Sequence, residues 1–395
     1  MQWIKHGKPI MKQSKKTKPS TSTQELIAQI QAAGLYPPEA ATIMVTGQCN
    51  LDCRHCLLDC GALTNASPVD ASILLPVIDD LARLGITSIN LTGGEILTHP
   101  EWHRILDFCL NHDRIKRVCL QTNATLITSR HLKALLDLQL DKLTIQVSLD
   151  GARPRTHNLI RGPGSYARVI AALHLLVEVG LGERTQVAFT EMEHNFHELP
   201  ELLEKLDKMG IGRLISSTLI KGGRAATSAT INPPIPAQYW ELIQLYQCDA
   251  KFKALCDQKA NIAAIEWFKN RSETSDSRCG CLKELFVDAQ GRIFPCTMLL
   301  MERFASQSVH TRPLRQIIPE MLQKWGEIPT LSRKRQNDSQ PCSRCTFRKH
   351  CGGGCMGRAA TIRGELMDPE DRCSLRKAVY NWIFLPSAGA FCRRR

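Results

Sequence analysis

At 395 residues, 43% hydrophobic and 23% charged, the chain has the length and composition of an ordinary folded protein with room for two domains. No stretch approaches the roughly 18 to 20 apolar residues of a membrane span, and the basic N-terminus lacks the apolar run of an export signal, so the seventeen cysteines read as reduced thiols or metal ligands in a cytoplasm. The formal charge of +13 sits largely in six lysines from Lys5 to Lys18 and in Arg393, Arg394 and Arg395, without aromatic interleaving, which argues for solvated tails and against a nucleic-acid partner.

In chain order, residues 1–38 read as a basic, disordered tail, with a helix-like "TQELIAQIQAAG" near its end. Residues 39–225 alternate short apolar runs with amphipathic ones. "ATIMVTG", "SINLTGGE", "RVCLQTNA", "KLTIQVSLDG", "TQVAFTE" and "RLISSTLI" predict six strands, and stretches such as "ASILLPVIDDLARLG" and "YARVIAALHLLVEVG" predict helices between them. That alternation predicts right-handed βαβ units on a parallel sheet. Six units instead of eight predict a partial, laterally open (β/α)6 barrel of the TIM type. Polar or glycine-bearing residues follow most strands: Cys49, Thr92 to Glu95, Thr122 and Asn123, Ser148 and Asp150. Ligands of parallel α/β folds bind at that edge.

Residues 226–277 read as a less regular helical bridge. Residues 278–375 are rich in cysteine and short turns, with apolar content that predicts a small domain held together by metal. Residues 376–395 read as a second tail.

Two motifs carry chemistry. Cys49, Cys53 and Cys56 form C-x-x-x-C-x-x-C, with Cys60 four residues beyond. Three thiolates can each hold one iron of a [4Fe–4S] cube and leave the fourth iron open, whereas zinc wants a fourth ligand. Gly93, Gly94 and Glu95 close the second strand. Glycines permit close backbone approach, and a carboxylate can accept from an ammonium. Farther on, Cys281 is followed by Gly291 and Cys296, then by Cys342-x2-Cys345-x5-Cys351-x3-Cys355 and by Cys373.

The triad, with His55 before its last cysteine, resembles the signature of the radical S-adenosylmethionine (radical SAM) superfamily. The later cysteines resemble its SPASM extension, so the resemblance runs from about Ala40 to Cys373. It implies that Cys49, Cys53 and Cys56 hold a [4Fe–4S] cluster that binds S-adenosylmethionine. It further implies that Gly93, Gly94 and Glu95 contact the methionine amino group, with Asn123, Ser148 and Arg161 as weaker cofactor contacts. Two auxiliary clusters are implied, one on Cys281, Cys296 and Cys355 and one on Cys342, Cys345, Cys351 and Cys373. The fourth ligand of the first would be Cys279, or Cys256, or its iron would be open. Cys60 is expected to point away from the cube. Cys109, Cys119 and Cys248 read as core thiols, His99 as a capping residue and Asp288 as a turn residue.

By this resemblance the chain is an enzyme that cleaves S-adenosylmethionine to a 5′-deoxyadenosyl radical and modifies a side chain of a ribosomally made peptide or protein. A separate leader-recognition protein and a flavodoxin- or ferredoxin-type electron donor are the implied partners, with no membrane. Radical modification of a tetrapyrrole side chain is the alternative, and a non-catalytic iron–sulfur electron carrier a third reading.

Overall fold

The structure, a computed structural model, describes residues 22–61, 68–275 and 279–384. The lysines of the N-terminal tail, Cys392 and the terminal arginines lie outside the described residues.

All six expected strands form: β1 (Ala40–Met44), β2 (Ser88–Thr92), β3 (Arg117–Thr122), β4 (Leu143–Ser148), β5 (Thr185–Glu191) and β6 (Arg213–Thr218). They are parallel and adjacent in chain order. The helices before and between them are α1 (Thr23–Ala32), α2 (Ala71–Arg83), α3 (Trp102–Asn111), α4 (Ser129–Leu136), α5 (Pro154–Arg161), α6 (Ser165–Glu178) and α7 (Leu199–Met209). α2 shows how sequence makes such a helix. Asp70 caps its first turn by accepting from Ser72 N at 2.7 Å, and Leu74, Val77, Ile78 and Leu81 bury one face.

Strands of a parallel sheet covered on both faces are ordinarily apolar throughout. Here one face is polar: Thr42, Asn90, Gln121, Gln146, Ser148, Thr190 and Ser217 alternate with buried Ile89, Leu120, Ile145, Val147, Val187 and Leu214. Asn90 Nδ2 and Thr42 Oγ1 both donate to Glu284 Oε1, at 2.9 and 2.5 Å, and Gln186 Nε2 donates to Gln146 Oε1 at 2.9 Å. The apolar side chains face the helices, and the polar ones line the interior of the partial barrel.

The C-terminal third departs from expectation. After α8 (Pro236–Cys248) and α9 (Ala250–Lys259), a two-residue strand β7 (Ala260–Asn261) pairs parallel with β6, and α10 (Ala263–Lys269) follows. Strand β8 (Glu284–Val287) then pairs parallel with β1, and β9 (Ile293–Phe294) pairs antiparallel with β8. The sheet thus has nine strands in the order β7-β6-β5-β4-β3-β2-β1-β8-β9. The cysteine-rich region is continuous with the barrel sheet instead of forming a detached domain. It also contains a helix of 25 residues, α11 (Leu314–Asp338), where short turns were expected. Ile317, Ile318, Met321, Trp325 and Ile328 of α11 belong to the same buried core as the barrel helices. The chain closes with α12 (Arg348–Cys351), α13 (Met356–Arg363) and α14 (Cys373–Tyr380).

Parts of both expected tails are folded. α1 buries Leu26 and Ile30, with Ser22 and Glu25 forming a reciprocal cap, and it packs on α11. At the other end Trp382 is buried against Trp240 and Phe268. Cys109 is a core thiol as expected, but Cys119 projects from the polar strand face toward Glu284, and Cys248 is exposed and disulfide-bonded. Among the described residues no helix is long and apolar enough to cross a membrane.

Candidate functional site

The loop after β1 carries the cysteine triad and is pinned from several sides. Gln48 bridges to Gly61, and Arg54 N donates to Ile160 O at 2.9 Å. Arg224, beyond β6, grips the loop hardest: Nε donates to Cys53 O and Nη2 to Cys60 O, both at 2.8 Å, and Nη1 pairs with Asp52 and Asp59. Gly223 makes that grip possible. A Cβ there would lie 2.3 Å from Cys56 O, and its φ is +53°. Nothing local in the sequence signals Arg224, which acts on a loop some 165 residues earlier in the chain.

Cys49, Cys53, Cys56 and Cys60 line one cavity of about 310 Å³ together with Gly93, Gly94, Asn123, Ser148, Arg161 and Arg224. Gln121, Gln146, Thr190 and Ser217 come from the polar strand face, and Leu57, Leu58, Leu219 and Ile220 make an apolar side. These strand residues were missed by motif reading; only their alternation with apolar neighbours marks them. Cys60 does not point away. It is 5% exposed, lines the same cavity, and hydrogen-bonds the Cys56 thiol, which lowers the pKa of Cys56. Burial pushes the Cys49 thiol up to about 11, while Leu51 N donates to its sulfur at 3.5 Å and Asn123 Nδ2 stands 3.9 Å away.

The end of β2 lies against the loop. Gly94 N donates to Thr46 O and Glu95 N to Gln48 O, at 2.9 and 2.8 Å, and a Cβ on Gly94 would sit 2.3 Å from Gln48 O. The close approach at Gly94 is therefore between two backbone segments. Glu95 requires a correction. Its carboxylate is 1% exposed and does not line the cavity; it accepts from Thr122 Oγ1, Asn123 N and Leu97 N at 2.6, 2.6 and 3.1 Å. With these donors it braces the ends of β2 and β3.

Asp150, Arg161 and His55 form a buried group beside Cys53. Arg161 Nε donates to Asp150 Oδ2 at 2.6 Å, His55 Nε2 lies 3.3 Å from the same oxygen, and Thr190 N donates to Oδ1 at 2.8 Å. Burial alone would raise the Asp150 carboxyl, but Arg161 and His55 hold it well below the usual carboxylate range. Arg161 thus stands at the cavity wall with half its fork already engaged.

The C-terminal cysteines gather into two sets. Cys279 and Cys281 are hydrogen-bonded through their thiols, Cys296 lies in the field of Cys279 and Cys355, and Cys355 in that of Cys279. Cys256 is buried in α9 among Asp257, Lys269 and Lys253 and joins neither set. Cys342, Cys345, Cys351 and Cys373 line a second, smaller cavity with Phe347 and Arg376. Glu370 joins the two sets: it accepts from Cys355 N at 2.9 Å and pairs with Arg372 and Arg376. Burial opposes its charge, but the two guanidiniums hold its carboxyl down to about 2. As expected, His99 caps the turn before α3, accepting from Glu101 N at 3.0 Å, and Asp288 holds a turn by accepting from Gln290 N and Arg292 N.

Residues 43–206 match the family model described as the Radical SAM superfamily. Those residues, from β1 into α7, form a radical SAM domain. The chain is 27% identical to an AdoMet-dependent heme synthase of Methanosarcina barkeri, over 84% of the chain and 95% of the relative. It is 25% identical to mycofactocin maturase MftC of Mycobacterium ulcerans, over 90% and 92%. Its fold is that of Streptococcus suis SuiB bound to precursor peptide SuiA, with a TM-score of 0.67 at 17% identity over 89% of this chain and 80% of that one.

Radical SAM enzymes use a [4Fe–4S] cluster and S-adenosylmethionine, and the residues present fit such groups. Backbone N–H groups aim at the sulfurs, from Leu51 to Cys49, Met298 and Leu299 to Cys296, Gly353 to Cys351 and Arg358 to Cys355. Such donors stabilise cluster thiolates.

Proposed function

We propose that the chain is a radical SAM maturase that modifies a side chain of a ribosomally made peptide or protein. The observation that carries this reading is the cavity at the C-terminal edge of β1–β6, where Cys49, Cys53 and Cys56 share one space with a polar strand face. Cys49, Cys53 and Cys56 hold the cluster, and Gly93, Gly94, Asn123, Ser148 and Arg161 surround the cofactor. When bound, the cluster supplies the electron that cleaves S-adenosylmethionine to methionine and the 5′-deoxyadenosyl radical. Arg161 offers the free part of its fork to a carboxylate, with Asp150 fixing its orientation. Leu57, Leu58, Leu219 and Ile220 keep water from the reacting carbon.

Cys279, Cys281, Cys296 and Cys355 hold a first auxiliary cluster, and Cys342, Cys345, Cys351 and Cys373 a second. The similarity to a mycofactocin maturase, and the fold shared with SuiB solved with a precursor peptide, support a peptide substrate. A leader-recognition protein and a flavodoxin- or ferredoxin-type donor complete the system in a cytoplasm.

Anaerobically reconstituted, reduced protein is expected to release 5′-deoxyadenosine from S-adenosylmethionine and to change the mass of a precursor peptide encoded beside its gene. The heme synthase relative favours a second reading, so a parallel arm contains porphyrin intermediates. A change in the porphyrin alone sinks the peptide reading. No 5′-deoxyadenosine in either arm sinks both.

A further inference from the structure

Arg335 on α11 is 0% exposed, and no carboxylate bonds it among the described residues. Its Nη1 donates to Gly354 O at 3.0 Å and its Nη2 to Asp368 O, while Nε is buried without a partner. Glu370, the carboxylate whose charge acts on it, is already engaged by Arg372 and Arg376. A buried cation without an anion is strongly unfavourable, so the protein atoms alone leave this residue unexplained.

Its surroundings supply the missing charge. Gly354 lies between Cys351 of one cysteine set and Cys355 of the other, and Asp368 lies in the loop that leads to Cys373. Gly353 packs flat on the Arg335 stem, where a Cβ would come within 3.3 Å of Cγ. Cys342, Cys351, Cys355 and Cys279 all lie within its electrostatic reach, so the guanidinium faces members of both sets. Loaded with iron and sulfide, each four-thiolate site carries roughly two negative charges, and one more when reduced. A cation bonded to the loops that would carry both clusters would favour the reduced form of each.

We propose that Arg335 is the shared counter-ion of the two auxiliary clusters and raises both of their reduction potentials together. The inference rests on the reading that both cysteine sets hold clusters. Reduction adds one electron to each cluster, drawn in the test from a chemical reductant, with no proton or ligand exchanged. Arg335 is a positioning and tuning residue; it touches no substrate.

The test is a redox titration of the reconstituted full chain, followed by electron paramagnetic resonance, for the native protein, Arg335→Gln and Arg335→Lys. Arg335→Gln is expected to lower both auxiliary potentials by about 59 mV or more, a tenfold change in each one-electron equilibrium. The potential of the cluster on Cys49, Cys53 and Cys56 should stay in place. Arg335→Lys, which keeps the charge and loses the fork, should restore most of both shifts. A shift in only one potential, or in neither, overturns the proposal. If Arg335→Gln does not fold, the lysine variant decides alone: iron loss as complete as in the glutamine variant means the fork is structural and the counter-ion role is wrong. Iron content separates the underlying reading, because native protein with about four irons instead of about twelve lacks auxiliary clusters altogether.

Discussion

Cys60 lies buried beside Cys56 in a loop whose other thiols form the triad, and its own thiol can reach either the Cys56 sulfur or the Leu58 carbonyl, 3.8 Å away. As a donor to Cys56, a ligand in the proposed site, it would leave the fourth iron free for S-adenosylmethionine. Cys60→Ala should therefore keep its iron and release 5′-deoxyadenosine, whereas Cys56→Ala should do neither; iron assay and chromatography of the nucleoside check both. Loss of iron from Cys60→Ala would make it a fourth ligand. The Asp150–Arg161 pair makes a second prediction, on stability. Both side chains are nearly buried, so Arg161→Met strands the carboxylate and should cost about 3–5 kcal/mol. Asp150→Asn combined with Arg161→Met should recover much of that. Denaturant titration of the four proteins gives the coupling energy, and simple additivity would mean the pair is not the source.

Between elements, one arginine ties the C-terminal region to the end of β6 and a second ties the segment after β6 to the cysteine loop. Arg358 on α13 donates to Thr218 O and Leu219 O at the end of β6, at 3.0 and 2.6 Å, and pairs with Asp371. A few residues on, Gly223 and Arg224 hold the loop carbonyls. Gly223→Ala should lower the iron content of the barrel site, since its Cβ meets backbone that cannot yield, and Arg358→Ala should slow release of 5′-deoxyadenosine while the auxiliary iron signal persists. Unchanged iron in Gly223→Ala would show that the strap is dispensable. Neither arginine was legible in the sequence, because a carbonyl clamp has no motif and the partners lie far apart in the chain. The strands and the two cysteine patterns were legible, since periodicity and spacing record them directly. α11 was hidden by Pro319 and Pro329 in its interior. The bonds of the Glu95 carboxylate to Thr122 and Asn123 were not legible, because its motif fixes a position and leaves open which way the side chain turns.

On the scale of the whole molecule, barrel and cysteine region share one sheet and one hydrophobic core. Chelating the iron should therefore lower the melting temperature of the entire chain in a single transition, as followed by calorimetry. Two well-separated transitions would mean independent domains. The pairing of β1 with β8 has a consequence for synthesis. At about 5–20 residues per second, the ribosome needs roughly 12 to 48 s to deliver the 240 or so residues between those strands. Throughout that interval β1 carries an open hydrogen-bonding edge beside unmetallated thiols, so the nascent barrel is a client for whatever shields edges and delivers iron.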